Sequence, residues 1–246
     1  MHSLTALANL LYPPICVLCR TDLRASTGTR RGYDCLLCQE CRARMPRCGP
    51  PVCTSCGVEL PGAFDALATC SSCRRHPKAF EAARAPWRYD GIAQAALQQF
   101  KYRRRHRVGD WLSETMSSAA RSSLPMDSID VVMPVPSHWL AGRLRGFDAP
   151  DHLARRVSRL LEKPYLPRAL RRSRWTTTQT RLSWAKRFRN VRAAFTARPR
   201  LVRDRIILLV DDVLTSGATA DACARALRQA GAVRVFVLTA ARTPLA

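Results

Sequence analysis

Ten of the eleven cysteines lie between Cys16 and Cys73, and most fall in Cys-x-x-Cys pairs. No other feature narrows the fold of this chain as much. A segment this short buries too little apolar surface to hold itself together, and thiolates gathered on a metal supply what its core lacks. The pairs are Cys16/Cys19, Cys38/Cys41, Cys53/Cys56 and Cys70/Cys73. One Cys-x-x-Cys turn places two thiolates on a tetrahedral Zn²⁺ without strain, and two turns complete four ligands. Eighteen residues separate Cys19 from Cys38 and thirteen separate Cys56 from Cys70, a range that suits zinc. The expectation is two structural Zn²⁺ sites, each closed by four thiolates. Cys35 and Cys48 are left over. Cys35-Leu-Leu-Cys38 is itself a Cys-x-x-Cys, so Cys35 is an alternative ligand, and one site in place of two stays open.

Disulfides are the competing use for these cysteines. The start, "MHSLTALANLLYPPICVLC", has no basic region ahead of its short apolar stretch and does not read as a secretory leader. No apolar run reaches the ~18 residues of a membrane span. A cytoplasmic protein without membrane insertion is expected, with its thiols reduced unless they bind metal or react.

Beyond "CRRHPKAFEAARAPW" the character changes, and a boundary is expected near residue 80, separating a cysteine-rich zinc-binding part (1–80) from a second domain (81–246). In that domain "IDVVMPV" (129–135), "IILLV" (206–210) and "VRVFVLTA" (233–240) read as buried strands, and "WRY" (87–89) as an edge strand. Between them lie helical stripes: Val108, Trp111, Leu112, Thr115 and Met116; Leu153, Val157, Leu160 and Leu161; and Ala220, Cys223, Ala224 and Leu227. Strands alternating with helices imply an α/β fold with a parallel sheet flanked by helices. Cys223, on a helix face, is expected in its core.

The strand "IILLV" runs into Asp211 and Asp212, then into Thr215, Ser216, Gly217, Ala218 and Thr219, then into a helix. In an open α/β sheet this is where ligands bind. Small residues let backbone N–H groups converge on a phosphate, and the positive helix end adds to them. The carboxylates would repel that phosphate but can accept hydrogen bonds from two vicinal hydroxyls. Acid pair and anion loop together fit a ribose 5-phosphate; the plainer reading is a turn in which Asp212 or a Thr caps the helix.

This stretch resembles the PRPP (phosphoribosyl pyrophosphate) motif of type I phosphoribosyltransferases. Further matches are "FKYRRR" (100–105), "PVP", "RGF", and a segment "TxxQxxL…RxxN" within residues 171–195. Together they resemble the ComF family, which pairs an N-terminal zinc segment with a phosphoribosyltransferase-like domain, and they cover nearly the whole chain. The resemblance implies several roles. Pro136, Ser137 and His138, after the "VVMP" strand, would border the pyrophosphate. Residues 171–195, which show no strand pattern, would be a hood closing over PRPP, with Arg187 covering the pyrophosphate. Asp211 and Asp212 would anchor the ribose, and Mg²⁺ would accompany PRPP. One departure stands out: where the family commonly has Asn-Gln after "RGF", this chain has Asp148-Ala149.

Family membership implies a role in natural transformation or use of external DNA, with other DNA-uptake proteins as partners. The charge agrees. Lys and Arg number 41 against 18 acids, a formal net charge of +23, and residues 168–205 carry thirteen of those cations with one acid, Asp204. Such an excess attracts polyanions. Lys101, Arg103, Arg104, Arg171, Arg172 and Arg174 are the expected contacts to single-stranded DNA, and Trp111, Trp139, Trp175 and Trp184 could stack on bases as readily as fill a core. Two functional readings follow: a module that handles incoming single-stranded DNA and binds PRPP in its pocket, or an active PRPP-dependent transferase with an unknown acceptor.

Overall fold

A computed structural model describes residues 15–23, 36–60, 62, 68–103, 105–137, 147–172 and 194–244. Seven strands and seven α-helices are described: α1 (Gln39–Ala43), α2 (Ser71–Arg75), β1 (Ala82–Arg84), β2 (Trp87–Arg88), α3 (Gly91–Arg103), α4 (His106–Ser123), β3 (Val131–Pro134), α5 (Ala149–Leu160), β4 (Leu170–Arg172), β5 (Phe195–Ala197), α6 (Pro199–Val202), β6 (Ile206–Leu214), α7 (Ala218–Gln229) and β7 (Arg234–Arg242). The main sheet runs β1-β7-β6-β3, and β2 also pairs with β7. Every pairing in it is parallel.

The near-continuous apolar runs explain the placement of β6 and β7. A strand turns successive side chains to opposite faces, and both faces here are covered. Leu208, Val210, Phe236 and Leu238 pack on one side against α4 and α5. Ile207, Leu209, Val235 and Val237 pack on the other against α7. Cys223 is fully buried on that second face, filling it as a small apolar side chain. The expected strand "WRY" is β2, short and at the edge.

α5 follows from its stripe. Leu153, Ala154 and Val157 are buried. Asp148 caps it by accepting the Asp151 N–H at 3.3 Å, with a proline in the first turn, as helix starts favour. α7 ends near Gly231, whose φ of 98° only glycine adopts without strain.

The segment 171–195 departs from the expectation that it lacks strands. Its two ends pair antiparallel as β4 and β5, with Arg171 opposite Thr196 and Arg172 opposite Phe195. The intervening residues lie outside those described. Trp111 is also settled. It stacks on Trp87 at a centroid distance of 5.8 Å and is 8% exposed, so it is a core residue and presents no face to a base; Trp139, Trp175 and Trp184 lie outside the described residues. No helix among the described residues is long and apolar enough to cross a membrane.

Gly109 sits inside α4, where glycine costs up to ~1 kcal/mol relative to alanine. It is there because the Phe100 ring packs against it: a Cβ would lie 2.2 Å from that ring, and Phe100 is fully buried. Gly109→Ala is therefore expected to lower stability by about 1–3 kcal/mol despite the gain in helix propensity, read as the shift in a urea unfolding midpoint.

Candidate functional site

The cysteines resolve into two sets, Cys16/Cys19/Cys38/Cys41 and Cys53/Cys56/Cys70/Cys73, and in each the sulfur atoms lie within 4.8 Å of one another. Both sets are built the same way. The first pair closes a tight ribbon: Cys16 donates its N–H to Thr21 C=O at 2.9 Å, and Cys53 donates to Val58 C=O at 2.7 Å. The second pair opens a short helix, with Cys38 capping α1 and Cys70 capping α2. Backbone N–H groups point at the sulfurs, from Cys41 to Cys38 Sγ at 3.4 Å, from Cys73 to Cys70 Sγ at 3.4 Å and from Cys70 to Cys53 Sγ at 3.3 Å. Such donors stabilise thiolates. Four soft donors without an open position fit structural Zn²⁺.

Each ribbon needs a left-handed residue after its second cysteine, Arg20 (φ 64°) and Gly57 (φ 66°). At 57 no other residue fits, because a Cβ would lie 2.4 Å from Ala83 C=O. Cys48 joins neither set: burial pushes its thiol up to about 11, so it stays protonated. Cys35 lies outside the described residues.

The second site is the carboxyl end of the sheet. Asp211 and Asp212 are the sixth and seventh residues of β6. Val135 N–H donates to Val210 C=O at 2.8 Å, so the chain leaving β3 through Pro136 and Ser137 runs beside the acid pair. Ser137 Oγ donates to Asp148 Oδ1 at 2.8 Å. The Asp148 that departs from the family pattern thus ties this loop to the start of α5. His138 and Arg187 lie outside the described residues.

Asp211 accepts the Asp212 N–H at 2.8 Å. Its carboxyl is held well above the usual carboxylate range, first by burial and then by the Asp212 charge, against the Asp212 N–H and Lys101. Lys101 takes a place beside the acid pair that its sequence context did not indicate. Expected on a nucleic-acid track, it reaches from the last turn of α3 to Asp212 Oδ1 at 2.8 Å, with 18% of its side chain exposed. The signal was its place in "FKYRRR", one turn after buried Leu97 and directly after buried Phe100.

After β6 comes the loop. Thr215 and Ser216 are exposed and Gly217 has a φ of 75°. Ser216 Oγ accepts the Ala218 N–H at 3.3 Å. Among the described residues, no carbonyl accepts from the N–H groups of Thr215, Ser216 or Gly217. Ala218 and Thr219 open α7, whose first N–H groups are without helical partners by construction. The site therefore presents a run of backbone donors a few residues from two carboxyls.

Of the remaining expected cation contacts, Arg103 and Arg171 are exposed. Arg172 is half-buried, its guanidinium 5.6 Å from the Phe195 ring centroid, which is a structural placement. Arg104 and Arg174 lie outside the described residues. Two residues escaped the sequence reading. Asp221, in α7, is 2% exposed and accepts the Ala79 N–H at 2.7 Å, anchoring the approach to β1. Arg242, at the end of β7, is 8% exposed and contacts both sites. Its signal was a cation closing a strand that is apolar from Val235 to Ala241 except at Thr239.

Residues 7–74 match the model of a double zinc ribbon domain. Over 242 residues the chain is 31% identical to DNA utilization protein YhgH of Escherichia coli O157:H7, covering 95% of this chain and 99% of that protein. Over 232 residues it is 26% identical to competence protein F of Haemophilus influenzae, covering 92% and 96%. Among solved structures, the allosteric regulatory enzyme of purine biosynthesis aligns with 58% of this chain and 30% of that one, at 22% identity and a TM-score of 0.40.

Two outcomes are expected. Elemental analysis should find two zinc equivalents per chain, and Cys16→Ser or Cys53→Ser should cost folding, seen as loss of a cooperative thermal transition. The second concerns Asp211. Its folded-state pKa is raised, so the folded chain holds this proton more tightly than the unfolded one. That contribution to stability is complete below the unfolded pKa of about 4 and is lost as pH rises toward the folded value. Denaturant unfolding across this range should show the parent losing stability relative to Asp211→Asn as pH increases.

Proposed function

The chain belongs to the ComF family, alongside DNA utilization protein YhgH and competence protein F, and from that premise we propose that it handles incoming single-stranded DNA and binds PRPP or a related ribose 5-phosphate at its strand-end pocket. One observation carries the pocket: Asp211 and Asp212, acids that accept hydrogen bonds, stand shortly before the backbone N–H groups of Thr215, Ser216 and Gly217, which no carbonyl among the described residues engages. An anion alone would be repelled by the first group, and a neutral sugar would leave the second unused. A ribose 5-phosphate uses both, with hydroxyls on the carboxyls and phosphate on the loop and the end of α7. Pro136 and Ser137 would border the pyrophosphate of PRPP.

Lys101 pairs with Asp212 Oδ1 at 2.8 Å and holds that carboxyl group at the strand end. The hard oxygen donors of the acid pair suit Mg²⁺, which when bound with PRPP would neutralise pyrophosphate charge. No observation favours transfer to an acceptor, so the reading stops at binding. Residues 1–80 are taken as the zinc-binding unit and 81–246 as the ligand-binding unit of a cytoplasmic protein that works with other DNA-uptake proteins.

Single-strand contact would run through exposed cations such as Arg103 and Arg171. Phosphate neutralisation makes affinity fall with salt by about 0.7 log units per log unit for each contact, with weak sequence preference.

Calorimetry tests the pocket. Asp211→Asn with Asp212→Asn, and separately Gly217→Val, should each weaken PRPP binding by about tenfold or more, the price of roughly one charged hydrogen bond; unchanged affinity in both contradicts the assignment. For DNA, Arg103→Ala with Arg171→Ala should flatten the salt slope of single-strand binding by about 1.4. An unchanged slope places the track elsewhere.

A further inference from the structure

Arg242 is the place where the two sites meet. Its Nε donates to Cys56 C=O at 3.1 Å and its Nη2 reaches Cys56 Sγ at 3.6 Å. Its Nη1 donates to the carbonyls of Leu214 at 3.0 Å, Thr215 at 2.6 Å and Thr243 at 2.7 Å. One guanidinium thus grips a zinc ligand with one edge and the first residues of the phosphate loop with the other. Its fork of donors suits this use, and the compact ammonium of a lysine cannot copy it. It is buried, so solvent does not screen the contact to a sulfur that carries negative charge when metal is bound.

Peptide planarity turns this grip into a direction. In a trans peptide the N–H points opposite to the C=O of the same unit. The Leu214 carbonyl is held toward Arg242, so the Thr215 N–H faces away; the Thr215 carbonyl is held likewise, so the Ser216 N–H faces away. These are two of the donors that no carbonyl of the described residues engages. Leu214 C=O also accepts the Thr243 N–H at 3.0 Å, which fixes the same peptide a second time. The ribbon side is equally constrained: Gly57 lies against Ala83, and Ala83 N–H donates to Ser55 C=O at 2.7 Å, so Cys56 cannot drift from the sheet.

We propose that Arg242 is a positioning residue that couples the second cysteine set to the phosphate loop, so that metal at Cys53/Cys56/Cys70/Cys73 and an anion at Thr215–Thr219 stabilise each other. The anion half rests on the function proposed above; the metal half does not. Zinc draws Cys56 into its set, Cys56 seats the guanidinium, and the guanidinium aims the Thr215 and Ser216 N–H groups. Linkage makes the effect reciprocal.

The test uses the full zinc-loaded chain and the variants Arg242→Gln and Arg242→Lys. Zinc release to a chromogenic chelator is followed while mass-spectrometric thiol labelling reports which set opens. In the parent, saturating PRPP should slow release from the second set at least about fivefold, the lower end of ordinary coupling, and leave the first set unchanged. Both variants should release the second zinc faster than the parent even without PRPP, lose the PRPP effect, bind PRPP about tenfold more weakly, and exchange the Thr243 amide proton faster. If Arg242→Gln does not fold, Arg242→Lys and the parent's own release rates decide. Parent-like release, affinity and exchange in either folded variant overturns the proposal, as does a parent whose second-set release ignores PRPP that it binds. If the parent binds no PRPP, the pocket assignment falls instead, and the PRPP-free arms, second-set release and Thr243 exchange in the variants, still decide for or against Arg242.

Discussion

Four thiolates held within 4.8 Å repel one another, and only a cation of matching softness makes that arrangement stable. The rest of the chain inherits this constraint. The second ribbon is poor in large buried side chains among the described residues: its cluster holds Val58 beside its four cysteines, with Leu60 partly buried against them. Metal substitutes for the missing core. Because the second ribbon seats Gly57 against Ala83 and Cys56 against Arg242, the ordering reaches the edge of the sheet and the loop after β6.

The sheet supplies the opposite kind of order. Its central strands are buried on both faces, so burial at ~25 cal/mol/Å² fixes them without any metal. What burial cannot fix is the orientation of peptides past the strand end, where side chains are small and exposed. Polar contacts do that. Arg242 holds two carbonyls, Lys101 holds Asp212, and Ser137 with Asp148 holds the neighbouring loop. Burial, with the Asp212 charge beside it, raises the Asp211 carboxyl above the usual carboxylate range.

Much of this was legible in the sequence. The eight paired cysteines form the two sets that their spacing implies, and "IILLVDD" is a buried strand ending in two acids. Local pattern carries such features, because a strand's period and a Cys-x-x-Cys turn are set by neighbours in the chain. Tertiary partners are a different matter. Lys101 and Asp212 lie far apart in sequence, as do Cys56 and Arg242, and a cation reads the same whether it faces solvent or a buried carboxylate. Arg172 illustrates the limit: it counts toward a basic stretch, yet it lies over Phe195. The β4–β5 pairing escaped for a related reason, since strands of three residues carry too few alternations to show a period.

The central claim is that the sheet end, with its acids and the amides that no carbonyl among the described residues engages, is a ribose 5-phosphate site. Backbone amide NMR shifts during a PRPP titration of the zinc-loaded chain test it most directly. The account predicts saturable shifts at Thr215, Ser216 and Gly217 together with Asp212, at one common affinity, while the amides of α4 hold still. Binding that shifts amides elsewhere and leaves Thr215–Gly217 unmoved would contradict it.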